Sequence, residues 1–184
     1  MIDPAVARRV RLLGLDVDGV LTDNGIFLGL VDGQAVELKR FDIQDGLGLV
    51  LLRCAELPVI WLSGRHSQAT ATRARELKVE ELLQVAGPEK LPAFAALLER
   101  RGIAWEEAAF VGDDLADLQV LRRVGLPIAV ANAVAEVKAV ASYVTRASGG
   151  HGAVREVAEA LLKARGIWAD ILQRYFTERV PGAV

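Results

Sequence analysis

Short, dense apolar runs recur along the chain, and four of them stop at a side chain capable of chemistry. Val10–Leu15 stops at Asp16, Leu57–Leu62 at Ser63, Glu107–Val111 at Gly112-Asp113, and Leu126–Ala131 at Asn132. Ser142–Thr145 is a shorter fifth run. Runs this rich in branched residues predict strands buried on both faces of a parallel sheet. Between them the apolar positions change to helical spacing. Gly46–Glu56 carries Leu47, Val50, Leu51 and Cys54, and Pro88–Arg101 carries Leu91, Phe94, Ala95, Leu97 and Leu98. Gln68–Leu77, Asp114–Val124, Glu136–Ala141 and Ala153–Ala164 complete the helical set. Pro88 and Pro92 suit a first helical turn, where a missing N–H costs least. The alternation predicts an α/β fold, a doubly wound parallel-sheet sandwich.

One segment breaks the alternation. Gly25–Gly29 and Ala35–Phe41 flank Leu30-Val31-Asp32-Gly33-Gln34, a β-hairpin signal with Asp-Gly at its turn. Because it follows the first strand, the hairpin (about 25–41) is expected to project from the carboxyl edge of the sheet. The tail, about 166–184, spaces Trp168, Ile171, Leu172, Tyr175 and Phe176 as a docking helix. Residues 1–184 therefore read as a single domain with one inserted hairpin and a helical tail.

Composition narrows the function classes. The chain has 184 residues, 52% hydrophobic and 25% charged, which is globular rather than disordered. Its 22 basic and 24 acidic side chains leave a net charge of -2, so no bulk field favours nucleic acid or an anionic membrane. One cysteine, Cys54, excludes an internal disulfide framework and a Cys-based zinc cage. It is expected to be core, as is Trp61, with Trp105 covering a helix–strand junction and His66 capping a helix at the surface. Arg8, Arg9 and Arg11 interrupt the first residues where a signal peptide needs an apolar region, and no apolar run approaches the roughly 18 residues of a membrane span. A cytoplasmic protein is the expectation.

Ligands of open parallel sheets bind at the carboxyl ends of the strands, where this chain places its reactive groups. The first strand runs into Asp16-Val17-Asp18-Gly19-Val20-Leu21-Thr22-Asp23, the second into Ser63-Gly64-Arg65, and the third into Gly112-Asp113-Asp114 with Asp117 one turn on. Lys90 opens the intervening helix. Several carboxylates at close range cannot all ionise without a cation. Hard oxygen donors without His or Cys select magnesium, which leaves room for water and phosphate. A hydroxyl, helix-start N–H groups and a lysine complete a phosphate cradle, so the set points to phosphoryl transfer. Taken singly, each piece has a plainer reading: Asp16 as a cap, Ser63-Gly64 as a turn, Lys90 as a solvated lysine, and Asp113-Asp114 as a cap pair. All four in order at strand ends and helix starts outweigh those readings.

The ordered set resembles the haloacid dehalogenase superfamily of phosphotransferases: DVDGVLTD (Asp16–Asp23), LSGR (Leu62–Arg65), Lys90 and GDDLAD (Gly112–Asp117) match its four motifs in turn. The hairpin in place of a cap domain, FDIQDGLGL (Phe41–Leu49) and YVTRASGGHGAVREV (Tyr143–Val157) are similar to the capless 3-deoxy-D-manno-octulosonate 8-phosphate phosphatases of lipopolysaccharide synthesis. The resemblance implies Asp16 as nucleophile and Asp18 as general acid and base. It implies Mg2+ on the Asp16 carboxylate, the Asp18 carbonyl and Asp113, with Asp114 and Asp117 orienting Lys90 and the water of the metal. Ser63 and the Gly64 N–H would hold phosphoryl oxygens while Lys90 offsets their charge, and Arg65 and Arg73 are candidates for the sugar carboxylate. It further implies a homotetramer in which one subunit's hairpin covers its neighbour's site.

A relative acting on nine-carbon keto-sugar acid 9-phosphates resembles the chain too, although Arg65 and Glu76 match the eight-carbon enzyme better. Departures from the eight-carbon pattern are Asn24 for a usual Gly, Gln44 for a usual Arg, and His151 within Gly149-Gly150-His151-Gly152. Outside enzymes, a receiver-type signalling domain shares acidic residues, a Ser and a Lys at a sheet edge. A catalytically idle oligomerisation domain is the other alternative, and it has no need of both Asp16 and Asp18.

Overall fold

A computed structural model describes residues 1–179. The element order is α1 (Pro4–Arg9), β1 (Leu12–Leu15), the hairpin β2 (Phe27–Val31) and β3 (Gln34–Leu38), α2 (Ile43–Cys54), β4 (Val59–Ser63), α3 (Gln68–Glu76), β5 (Glu81–Gln84), α4 (Lys90–Arg101), β6 (Ala108–Gly112), α5 (Leu118–Leu121), β7 (Leu126–Ala129), α6 (Ala135–Val140), β8 (Tyr143–Val144), α7 (Ala153–Arg165) and α8 (Trp168–Arg179). The main sheet is parallel in the order β5-β4-β1-β6-β7-β8. From β1 the chain winds outward through β4 to β5, then returns to β6 on the other side of β1. The winding therefore reverses between β1 and β6, which makes their carboxyl ends the natural ligand crevice.

Burial follows from the apolar runs. Every residue of β1, β6 and β7 is buried, as a sheet covered on both faces requires. Phe94 of α4 meets Phe110 edge-on at 5.4 Å, while Trp61 is fully buried beneath Phe41, stacked at 6.2 Å. Helices α2 and α7 pack together, with α1 against α7 and α8 against both. Gly152, at the start of α7, has no side chain to cap the helix, and Asp45 of α2 supplies one: the Arg155 N–H donates to its Oδ1 at 2.8 Å. Burial pushes the Asp45 carboxyl up to about 6 even though α7 backbone N–H groups stabilise its charge.

The hairpin has a two-residue turn rather than the longer one expected. Its strands pair from Phe27–Leu38 to Val31–Gln34, leaving Asp32 and Gly33 as the turn, both at positive φ (50° and 76°). That geometry matches strand twist and suits Asp-Gly. Asn24 also lies at positive φ (68°), which explains how it stands in for the usual Gly, because Asn tolerates this region better than most residues.

Three other expectations are corrected. A sixth strand, β5, is half-buried at the sheet edge and too polar at Glu81 and Gln84 to register as an apolar run. Arg100 and Arg101, in the last turn of α4, pair with Glu81 of β5 at 2.5 and 2.9 Å, and Arg101 with Glu80 at 2.7 Å. The helix expected from Asp114 begins as a 3-10 turn, Leu115–Asp117, before the short α5. His66 is exposed, and Ser67 caps α3 by accepting the Thr70 N–H. Cys54 is half-buried against the core, and Trp105 packs on Phe94 beneath Arg123. The tail helix α8 buries Ile171, and the end of the expected tail, 180–184, lies outside the described residues.

Candidate active site

Asp16 is the first residue beyond β1, and its N–H donates to the Val111 carbonyl at 3.0 Å, so the sheet ladder itself fixes its backbone. Asp113 stands one residue beyond β6, directly across the crevice. Asp117 follows on the 3-10 turn and folds back so that its Oδ2 accepts the Asp113 N–H at 3.0 Å and the Asp114 N–H at 3.4 Å. Asp16, Asp113 and Asp117 are all buried, and each presents an oxygen within 4.8 Å of the others. Lys90, at the start of α4, reaches into this cluster and donates to Asp16 Oδ1 at 2.5 Å and to Asp117 Oδ1 at 2.7 Å.

One ammonium does not neutralise three buried carboxylates. Burial and the repulsion of Asp117 hold the Asp16 carboxyl well above its usual range in spite of Lys90. Burial, with repulsion from Asp117 and Asp114, pushes Asp113 up to about 7. Burial opposes the Lys90 charge, but Asp16 and Asp117 outweigh it and raise its pKa. The cluster therefore lacks positive charge, and its donors are hard oxygens, the ligand set of magnesium.

The loop after Asp16 is shaped for close approach. Gly19 has φ +91°, and a Cβ there would fall 1.9 Å from Asp113 Oδ2. The Gly149 turn lies against the loop from the other side, where a Cβ on Gly149 would sit 1.8 Å from the Gly19 carbonyl. Asn132, beyond β7, ties the two together: its Nδ2 donates to the Gly19 carbonyl at 2.9 Å, and its Oδ1 accepts the Gly149 N–H at 2.6 Å. Thr22 Oγ1 accepts the N–H of Gly19 at 3.2 Å. The departures lie nearby: His151 is exposed with Nδ1 2.9 Å from the Gly149 carbonyl, and Gln44 Oε1 stands beside Gly152.

The second strand end borders the cluster. Ser63 is fully buried, its hydroxyl donating to the Arg65 carbonyl at 3.0 Å. Gly64 lies close to the Lys90 stem, 3.4 Å from where its Cβ would be. Arg65 turns toward the hairpin and meets Glu37 Oε2 at 2.5 Å. Asp18 is partly exposed and also meets the hairpin, its Oδ1 accepting from Lys39 Nζ at 2.5 Å.

Two predicted residues have their partners outside the carboxylate cluster. Arg73 packs against Gly46 of α2 and pairs with Glu76 at 2.8 Å, and Asp114 caps the 3-10 turn by accepting the Leu115 N–H. Sequence reasoning missed Glu37, Lys39, Thr22 and Asn132. Nothing marked the first two beyond a polar hairpin strand. Thr22 stood inside the first motif, and Asn132 carried the same signal as Ser63, a polar residue directly after an apolar run.

Comparison with known proteins shows the family. The haloacid dehalogenase-like hydrolase family model matches residues 64–157. The 3-deoxy-D-manno-octulosonate 8-phosphate phosphatase KdsC of Escherichia coli K12 is 44% identical over 162 residues, covering 88% of this chain and 84% of the relative. The Moraxella catarrhalis 3-deoxy-D-manno-octulosonate 8-phosphate phosphatase, solved with magnesium, phosphate and KDO, superposes with a TM-score of 0.86 at 35% identity, covering 94% of this chain and 97% of that one. The cobalt-bound Haemophilus influenzae phosphatase gives 0.82 at 31% identity, covering 93% and 99%. By the family model over residues 64–157 and 44% identity across most of its length, the chain belongs to the haloacid dehalogenase-like hydrolases and, among them, to the 3-deoxy-D-manno-octulosonate 8-phosphate phosphatase family.

Proposed function

We propose that the chain hydrolyses 3-deoxy-D-manno-octulosonate 8-phosphate to the free sugar acid and phosphate, with Mg2+ and through an aspartyl phosphate on Asp16. The observation that carries this is the buried Asp16 at the β1/β6 crevice, held by Lys90 beside two further carboxylates that need a divalent cation. Family membership removes the receiver alternative.

The Asp16 carboxylate, the Asp18 carbonyl and Asp113 would hold the ion, which when bound would offset the charge of nucleophile and phosphate. An Asp16 carboxylate oxygen forms a bond to phosphorus as the bond from phosphorus to the sugar oxygen breaks. Asp18 gives its proton to the departing oxygen, and the sugar leaves as a neutral alcohol. Asp18 then takes a proton from water, whose oxygen bonds phosphorus while the bond to Asp16 breaks. Lys90, tied to Asp117, keeps Asp16 aimed and balances phosphoryl charge. The Ser63 hydroxyl and Gly64 N–H bind phosphoryl oxygens, and Asp114 with Asp117 orders the metal turn. Arg65 and Arg73 bind the sugar carboxylate, supported by one buried, unpartnered guanidinium nitrogen on each, Arg65 Nη1 and Arg73 Nε.

The assembly is a cytoplasmic homotetramer whose hairpins cover neighbouring sites. What supports it is an apolar hairpin with Leu28 79% and Leu30 76% exposed, since a lone hairpin is marginal in water. No helix among the described residues is long and apolar enough to cross a membrane.

The test is phosphate release with Mg2+ from the eight-carbon and nine-carbon keto-sugar phosphates, simpler sugar phosphates and p-nitrophenyl phosphate, with Asp16→Asn as control. Preference for the eight-carbon substrate, abolished in the variant, is expected. Equal rates across the sugars overturn the named substrate, and no release from any compound restores the idle-domain alternative.

A further inference from the structure

The mechanism uses one lysine, but the site contains two. Lys39 lies between the end of β3 and the bridge that returns the chain to the body of the protein at Thr22 and Phe41. Its side chain is fully buried, whereas Asp18, which it meets at 2.5 Å, keeps 22% of its side chain exposed. Taking an ammonium out of water costs several kcal/mol unless partners replace the lost hydration. Those partners are Asp18 Oδ1, Thr70 Oγ1 at 3.2 Å and Glu37 Oε1 at 3.8 Å.

The backbone on either side of Lys39 is pinned. Glu37, on the same side of the strand, accepts from Ser67 Oγ and Arg65 Nη2 at 2.5 Å each. Phe41 stacks on buried Trp61 and pairs with Thr22, itself bonded to the Asp18 loop. Lys39 is thus clamped from two directions and hydrogen-bonds one oxygen of one carboxylate, Asp18 Oδ1, with Glu37 Oε1 farther off at 3.8 Å. Lys90 contacts Asp16 and Asp117, so each of the two reacting carboxylates has its own lysine.

We propose that Lys39 is a positioning residue for Asp18: its ammonium holds Oδ1 of the acid/base carboxyl, so that Oδ2 is the oxygen that gives and takes the proton. The inference rests on the reaction proposed above. A carboxyl group attached through two rotatable bonds and partly open to water does not otherwise distinguish its oxygens or keep one aimed at the substrate. Holding one of them fixes the plane of the group, and misplacement of a reacting group by about 1 Å can lower a rate about 100-fold.

The test combines Lys39→Met and Lys39→Gln with Asp18→Asn, each alone and Lys39→Met paired with Asp18→Asn, all assayed with Mg2+. Wild-type activity on the sugar phosphate is the control for the underlying reaction: its absence refutes that reading and leaves no step for Lys39 to assist. With wild type active, Lys39→Met is expected to lower kcat about 10- to 100-fold with KM changed less than about threefold. In the Asp18→Asn background the same substitution is expected to change kcat less than about twofold, because its route of action is gone. With p-nitrophenyl phosphate, whose leaving group needs no proton, Lys39→Met is expected to release p-nitrophenolate in a burst near one equivalent and then turn over slowly.

Equal losses in both backgrounds overturn the proposal, as does a raised KM at unchanged kcat, which would make Lys39 a direct substrate ligand. Unchanged kinetics overturn it too. Should Lys39→Met fail to fold by circular dichroism, Lys39→Gln, which keeps a donor without the charge, is held to the same criteria.

Discussion

Lys90→Met removes the one ammonium that, among the described residues, contacts the carboxylate cluster, while keeping a side chain of similar length. The lysine is 4% exposed, and its partners Asp16 and Asp117 are 6% and 1% exposed, so water does not replace it. Removing one partner of a buried ion pair costs about 3–5 kcal/mol, because the other charge is left unpaired. Part of this is relieved by protonation of the carboxyls, since Asp16 already lies well above its usual range and Asp113 lies near 7. The sign follows: a raised carboxyl favours the folded state at low pH, so the variant's deficit shrinks as pH falls from 8 toward 5. Magnesium acts in the same direction by restoring positive charge, worth about 2.7 kcal/mol at a hundredfold excess over its Kd. The assay is urea unfolding of both proteins across that pH range, in chelator and in Mg2+, with phosphate release measured alongside. The expected result is a loss of about 3–5 kcal/mol in chelator at pH 8, largely recovered with Mg2+. The rate is expected to fall about 100- to 1,000-fold. A variant as stable as wild type in chelator, or one indifferent to both pH and Mg2+, would refute the electrostatic account of the site.

Gly19→Ala is expected to weaken Mg2+ binding and activity at least 100-fold, because the new Cβ meets Asp113 Oδ2 and φ +91° strains any side chain; calorimetric titration with Mg2+ checks it. Asp45→Asn is expected to be more stable than wild type at pH 7 by up to about 3 kcal/mol, the equivalent of a shift from 3.8 to about 6. That advantage should be absent below about 4, grow as pH rises toward about 6 and stay constant above it; a pH-independent difference in unfolding free energy would count against it. Leu28→Lys with Leu30→Lys is expected to lower the solution mass measured by light scattering while leaving the far-ultraviolet circular dichroism unchanged, since both side chains lie on the exposed hairpin.

Much of this protein is legible along one dimension. Fully buried strands need continuous apolar runs, so β1, β4, β6 and β7 announce themselves, and Asp-Gly between two short runs marks the hairpin turn. The residues that follow these strands inherit a common edge from parallel topology alone, which is why the sequence pattern by itself groups Asp16, Ser63 and Asp113. The chain order also separates them by tens of residues, so only folding decides which of them touch. It brings Lys90 onto Asp16 and Asp117, turns Asp114 away to cap its own helix, and sets Arg73 against α2. It adds partners whose sequence context is unremarkable, because Glu37 and Lys39 reach the site through the placement of a hairpin relative to a sheet. Strand β5 escapes for the same reason: at a half-buried edge, arginines of α4 satisfy its carboxylate rather than apolar neighbours. Local pattern depends on burial and backbone geometry, which each residue reports for itself. Pairing depends on distances across the fold, which no single stretch of chain contains.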